Sequence, residues 1–460
     1  MKHLLKIFSP YLLGLILFSM PAYAQFEEVE LDREKSREMA LDYSRDVKLA
    51  ENKKQQALLQ ERIAGAALLP EFSASGLYLY SFDPIDVSIA PAELLDLEDP
   101  FHELINAIFP DLSLEIGLEG VTLAGVELEQ AVYAGGRIRT ARRMAKKGTE
   151  VAGLDIELNT AQVIALSDAA FFQYLSVKEK KQAALQYREL LDELVATLED
   201  SVEEGLATRN ELLKARVKQS EAILQVQQAR SGLELARMNL CRITGMELET
   251  PISVTETLDP APVDIDQLRQ HNNNPRQRPE YRMLEKAIEI GNYKEKIAKG
   301  ALLPELGFRA GYNYFGGVEV GGQTSDNMGF SMMAMLRVPI FNWNQSRNEL
   351  SKARLQKEAA RLEKDDATRL MQLEIARERF RLEDAFTRMN LTETALQHAE
   401  ENLETSQDKY REGKETLTDL LEAQAQWQAA KSDHIQAQTS VELQKTLYLK
   451  AKGQLVEQHQ

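Results

Sequence analysis

The sequence is short of the residues from which reactive centres are built. Cys241 is the single cysteine, so no disulfide can form within the chain and no paired-cysteine metal motif exists. The six histidines, His3, His102, His271, His398, His434 and His459, are scattered, without a metal-ligand spacing. No phosphate-cradling glycine loop and no nucleophile elbow occur. The chain therefore reads as a non-enzyme, with no catalytic residue, cofactor or metal site. Basic residues are outnumbered, 55 Lys and Arg against 72 Asp and Glu, and the net charge of −17 argues against nucleic acid as a partner. Beyond residue 24 there is no run of 18 apolar residues, which argues against a helical membrane span.

What is present begins with a leader. Lys2 and Lys6 precede the apolar run Leu12 to Phe18, and Ala22-Tyr23-Ala24 precedes Gln25. Residues 1–24 read as a secretory signal peptide, and the mature chain as exported. No Cys stands at the cleavage point, so a lipid-anchored N-terminus is not indicated.

The remainder is a duplication. Glu204-Gly205 through Gly245 returns as Glu412-Gly413 through Gly453, shifted by 208 residues without a gap. Within it Leu212, Ala215, Gln219, Ala222, Val226, Ala229, Leu233, Ala236, Leu240 and Ile243 step strictly by 3 and 4, the seam of a helix packed along a neighbour. The second copy repeats the phase from Leu420 through Ala423, Trp427, Ala430, His434, Ala437, Val441, Gln444 and Tyr448 to Ala451. Alanine recurs at one of the two alternating positions, so helix axes can approach closely. A second match, Ala67-Leu68-Leu69-Pro70-Glu71 with Ala301-Leu302-Leu303-Pro304-Glu305, has an offset of 234, so the first half carries about 26 extra residues.

After each of those prolines the period changes from helical to two. Leu306, Phe308, Ala310, Tyr312 and Tyr314 alternate with Gly307, Arg309, Gly311 and Asn313, and a return strand runs from Met328 to Ile340. The first half repeats this with Phe72 to Phe82 and with Leu112 to Leu118. The expectation is two β-hairpins, 71–133 and 305–341, the first with a long acidic outer loop, 83–111, in which short helices fit 92–97 or 101–109. Strands of about ten residues suit a tilted membrane barrel. Four strands cannot close one and an open edge is not tolerated in lipid, so the barrel would be shared among chains.

Around the hairpins the chain divides as follows. The first repeat, 25–245, opens with an acidic unpatterned stretch, then a helix from Ser36 to Leu69, the hairpin, a long helix 137–204 and a return helix 206–245. The stretch from Met246 to Pro279 holds five prolines, so the linker 246–278 suits an equatorial position. The second repeat, 279–460, has a helix to 303, its hairpin, a long helix 345–412 and a return helix 414–453. Each long helix would span about 100 Å and each return about 60 Å, a difference the shorter helices can supply. The fold class is mainly α with a small β part, a duplicated helix, β-hairpin and long helical hairpin.

With these residues in view the chain resembles the TolC-like outer-membrane efflux protein family over nearly its whole mature length. The resemblance rests on the A-L-L-P-E boundaries, on the strand–helix junction Tyr133, Gly135, Gly136 and Arg137, on Pro339-Ile340-Phe341, and on the Gly-x2-Thr-x3-Leu-Leu turns. Asn342-Trp343-Asn344 departs from the first copy's Gly-Gly-Arg. The resemblance implies a homotrimer, with a 12-stranded β-barrel in the outer membrane of a Gram-negative bacterium continuous with a 12-helix periplasmic α-barrel. It implies contact with outer-membrane lipid, a periplasmic adaptor protein and an inner-membrane pump. It places adaptor contacts at the helical turns, Gly205, Leu206, Thr208, Gly413 and Thr416. It places an aperture at Asp419 and Glu422, which lie three apart on one helical face. The implied function is the exit duct of a tripartite efflux or type I secretion system. The competing expectation is a periplasmic coiled-coil scaffold or adaptor that never enters lipid.

Overall fold

The computed structural model describes residues 28–80, 82, 85–89, 101–108, 112–117, 120–260, 262, 273–320 and 323–456. The leader 1–24 and much of the loop 83–111 lie outside them. The chain forms two compact units. One is built from Met1–Ser44, Ile164–Val263 and Asp384–Leu443, the other from Arg45–Val163, Asp264–Glu383 and Gln444–Gln460.

The helices keep the repeat to the residue. Helix α4, Arg137–Glu203, and helix α7, Gln345–Arg411, each have 67 residues; α5, Arg209–Thr244, and α8, Leu417–Lys452, each have 36. Both ends of both pairs are related by 208. The earlier helices are α1, Arg33–Tyr43, α2, Arg45–Ala66, and α3, Phe101–Ile108; α6 is Pro279–Gly300. Proline opens α6 at a position whose N–H would be unpaired in any case.

The first unit is organised by the seam. Ala215, Ala222 and Leu240 of α5 are fully buried, as are Val441 and, nearly so, Ala437 of α8. Near the turns Leu191 and Leu198 of α4 pack with Ala215, Leu403 of α7 and Leu420, Leu421 and Trp427 of α8. Burying a leucine of this kind contributes about 1.5–3 kcal/mol, so the four-helix packing carries itself without a disulfide. A second cluster gathers Phe171, Leu175, Leu240 and Cys241 around Leu31, Ile252 and Val254. The last three belong to β1, Val29–Leu31, and β6, Ile252–Val254, a parallel pair.

That pair corrects the reading of residues 25–35 as unpatterned: three residues are too short to show a period, and their partner lies more than 220 residues away. The single helix expected from Ser36 to Leu69 is likewise two. Ser44 leaves helical geometry at ψ 120° while its N–H still donates to the Ala40 carbonyl. Arg37 is buried yet charged, which disguises the inward face of α1 in the sequence.

The second unit carries the sheet. Its strands are β2, Glu71–Leu79, β3, Ile85–Ile89, β4, Leu112–Gly117, β5, Val121–Ala134, β7, Glu305–Val320, and β8, Gln323–Arg337. All pairings are antiparallel, in the order β2-β5-β7-β8, with β3 and β4 joined to the far end of β7. The expected first hairpin therefore has an added strand and the helix Phe101–Ile108 within its loop. The strand after that loop is broken in two near Gly120, which has φ 79°. The 26 extra residues of the first copy are thus spent on β3, α3 and β4.

Candidate functional site

Three places combine exposure with defined geometry: the sheet, the strand–helix junctions and the helical turns. The sheet has two unlike faces. Glu305, Gly307, Arg309, Gly311 and Asn313 share one, and Leu306, Phe308, Ala310, Tyr312 and Tyr314 the other, since side chains alternate along a strand. The register sets Leu128 and Met332 across from Ala310, and Val126 and Phe330 across from Tyr312, in apolar rows. Phe72, Tyr78, Val126, Phe330 and Leu336 are exposed, although each is large and apolar. Among the described residues β2 pairs only with β5 and β8 only with β7, so each leaves one edge open.

At the first junction Gly135 and Gly136 are left-handed, at φ 60° and 73°. A Cβ on Gly135 would sit 2.2 Å from the Gly300 carbonyl oxygen, so only glycine fits between β5 and the end of α6. Arg137 donates to Glu305 and, through Nε, to the Ala134 carbonyl at 3.2 Å. In the second copy Trp343 and Asn344 take the same left-handed backbone, at φ 50° and 62°. The departure from Gly-Gly is thus one of side chain and not of chain path. Trp343 is 85% exposed and stacks edge-on against Phe341, with ring centroids 5.1 Å apart.

The two turns share one reversal and one kind of cap. Gly205 and Gly413 are left-handed, and the next N–H groups, Leu206 and Lys414, donate back to Ser201 at 2.7 Å and Lys409 at 2.8 Å. Thr208 then caps α5: its hydroxyl accepts from the Glu211 N–H at 3.2 Å, while the Glu211 carboxylate accepts from the Thr208 N–H at 2.8 Å. Thr416 and Asp419 form the equivalent box on α8, with the Thr416 hydroxyl donating to Asp419 at 2.6 Å and the Thr416 N–H at 3.1 Å. The Thr416 hydroxyl and backbone hold the Asp419 carboxyl below its usual range, and the Thr208 backbone and hydroxyl do the same for Glu211. Glu422 is exposed and accepts from Gln426 at 3.1 Å. Leu206 is 78% exposed, an apolar side chain at the very turn.

The Ser/Thr-x-x-acid spacing signals such a box, so the capping duty of Asp419 is open to reading in the sequence, where the aperture reading obscures it. A buried ionic cluster was not readable. Asp168 of α4 is fully buried and accepts from Arg37 at 2.6 and 2.7 Å and from Arg33 at 2.8 Å, fixing α1 within its unit. Burial would push this carboxyl up, but the Arg37 and Arg33 hydrogen bonds bring it below its ordinary value. Among the described residues no group of three His, Cys, Asp or Glu could hold a metal ion. His434 lies 3.4 Å from the Thr392 hydroxyl, with its pKa lowered by burial, and burial pushes the Cys241 thiol up.

Comparison with known proteins bears on the whole assembly of features. Residues 275–448 match the sequence model of the family described as outer membrane efflux protein. The outer membrane efflux protein BepC of Brucella suis biovar 1 (strain 1330) is 23% identical over 338 residues, 72% of this chain and 72% of that protein. Among solved structures CusC, described for folding and transmembrane channel formation, superposes with a TM-score of 0.72 at 14% identity, covering 93% of each chain. The Campylobacter jejuni CmeC outer membrane channel gives 0.69 at 20% identity, over 92% of this chain and 86% of that one. The second repeat thus matches the outer membrane efflux protein family in sequence, and nearly the whole chain shares its fold with solved outer-membrane channels.

Proposed function

We propose that three copies of this chain close a 12-stranded barrel through the outer membrane, with the helices continuing it as a periplasmic duct for export. The observation that carries the reading is the sheet. It has one apolar and one polar face and two open edges, a state that lipid does not tolerate in a single chain. The polar face lines the water path and the apolar face meets lipid. No catalytic group is needed, because a duct is passive; a periplasmic adaptor and an inner-membrane pump supply selection and energy.

The turns at Gly205 to Thr208 and Gly413 to Thr416 are the adaptor contacts in this reading. Exposed Leu206 offers an apolar tooth there. Asp419 and Glu422 form stacked carboxylate rings at the mouth, which favour cations. Bulky replacement of Leu206 or Thr208 should reduce export while outer-membrane level and assembly stay unchanged; normal export would remove the turns from the contact.

The duct reading is tested by extraction. The mature protein should remain with the outer-membrane fraction until detergent is added. Recovery in the soluble periplasm would favour the scaffold that never enters lipid.

A further inference from the structure

The feature that the duct does not use is a patch of positive charge in an acidic protein. Arg139, Arg142, Arg143 and Lys146, on the first turns of α4, line a groove of about 410 Å³ with Glu61 and Leu68. All four are exposed, and among the described residues none forms an ion pair. Glu61 instead accepts from the Thr149 hydroxyl at 3.3 Å. The Arg142 side chain lies against Gly65 of α2, where an added Cβ would be 3.5 Å from its Nε. An adjoining groove adds Arg62, Leu58 and Leu69, and Leu69 is 67% exposed. Cations and bare leucine side by side suit an amphiphile.

The fold itself does not require the patch. At the positions related by 208, Arg347 recurs, but Leu350 and Ser351 replace Arg142 and Arg143, and Arg354 is neutralised by Glu295 at 3.2 Å. A helix of the same 67 residues forms in both copies. Three adjacent uncompensated cations are therefore a property added to one copy.

The direction of the patch follows from helix geometry. With Arg137 at 0° and about 100° per residue, Arg139, Arg142, Arg143 and Lys146 fall at about 200°, 140°, 240° and 180°. Their mean is opposite to Arg137. Arg137 reaches Glu305 of β7, the strand beside β5, so the four cations lie on the opposite flank of α4, the one that borders α2. Along the axis they begin about 3 Å and end about 14 Å from the start of α4, immediately after β5. The polar zone of a bilayer is about 5–8 Å thick on each side, and arginine side chains can reach back toward it.

We infer that this groove docks the phosphate of an anionic phospholipid in the periplasmic leaflet, with Arg142 and Arg143 as its principal donors and Leu68 and Leu69 against the chains. Guanidinium groups bind phosphate oxygens in pairs and stay charged at every physiological pH. The inference rests on the membrane barrel proposed above.

The test uses the full-length protein in mild detergent, titrated with phosphatidylglycerol or phosphatidylcholine and read as bound lipid by native mass spectrometry. Phosphatidylglycerol should be retained over phosphatidylcholine. Arg142→Gln/Arg143→Gln should weaken it roughly 25-fold, the product of about fivefold for each cation near an anionic surface. Arg209→Gln/Lys214→Gln, which removes equal charge at a helical turn, should leave it unchanged, and Arg142→Lys/Arg143→Lys should retain most of it. Equal retention of the two lipids, or wild-type binding by the glutamine variant, overturns the site. Loss of binding in the lysine variant would assign the effect to packing and also overturns it. Displacement by millimolar inorganic phosphate would make the ligand free phosphate and remove the lipid. A protein found in the outer membrane without lipid preference refutes only this site, whereas a protein soluble without detergent refutes the barrel beneath it.

Discussion

In the proposed trimer, the internal repeat makes the contact between protomers calculable. Nine pairs of β2 and β5, from Glu71↔Glu129 to Leu79↔Val121, recur in β7 and β8 as Glu305↔Arg337 to Asn313↔Gly329 when 234 is added on one strand and 208 on the other. No pair slips. The same shifts applied to Glu127↔Gly311 of β5 and β7 set Met335 of one protomer opposite Leu77 of the partner subunit. Opposed residues of antiparallel strands lie about 4.5–5.5 Å apart at Cα, within the range of about 4.4–6.8 Å that a disulfide needs. A slip of two residues moves a pair about 7 Å along the strand and out of that range. In a Cys241→Ala background, Met335→Cys/Leu77→Cys should therefore give covalent trimers on a non-reducing gel after mild oxidation. Met335→Cys/Leu79→Cys should stay monomeric. Crosslinking of the second pair in preference to the first would refute both the register and the reasoning from the repeat.

Other outcomes follow from single residues. Gly135→Ala should lower the melting temperature, because a left-handed non-glycine residue costs about 1–3 kcal/mol and its Cβ meets the Gly300 carbonyl. Trp343→Gly, at the equivalent place, should not lower it. Asp168→Asn should destabilise by about 3–5 kcal/mol in urea unfolding, since it leaves Arg33 and Arg37 poorly compensated. The Asp168 carboxyl is depressed in the folded state. Its contribution is therefore complete above an unfolded value near pH 4, and is lost as pH falls through the lower folded value. In planar bilayers Asp419→Asn/Glu422→Gln should raise conductance and reduce both cation selectivity and block by trivalent cations on the periplasmic side. Unchanged conductance and block would remove the aperture from these residues.

The helical hairpins were legible because their signals are long and local: a 3-and-4 stepping over 30 residues leaves no second interpretation, and Gly205 and Gly413 mark the turns. The alternating strands were legible for the same reason. What escaped was short or distant. The β1 and β6 pair has three residues on each side, and the cluster of Asp168 with Arg33 and Arg37 joins positions about 130 apart through charges that a hydropathy reading assigns to solvent. Asp419 shows a further cause. One residue can satisfy two demands, and the aperture implied by resemblance hid the helix cap that its spacing to Thr416 already specified. At the junction the letters of Trp343 and Asn344 differ from Gly135 and Gly136, yet the backbone keeps one hand, which no reading of residue types would supply.

The shared barrel is tested most directly by the mass of the protein extracted in mild detergent, with the detergent contribution subtracted. The ladder β2-β5-β7-β8, open at β2 and at β8 among the described residues, predicts three subunits and no smaller stable species. A stable monomer that keeps its sheet in detergent would contradict the account.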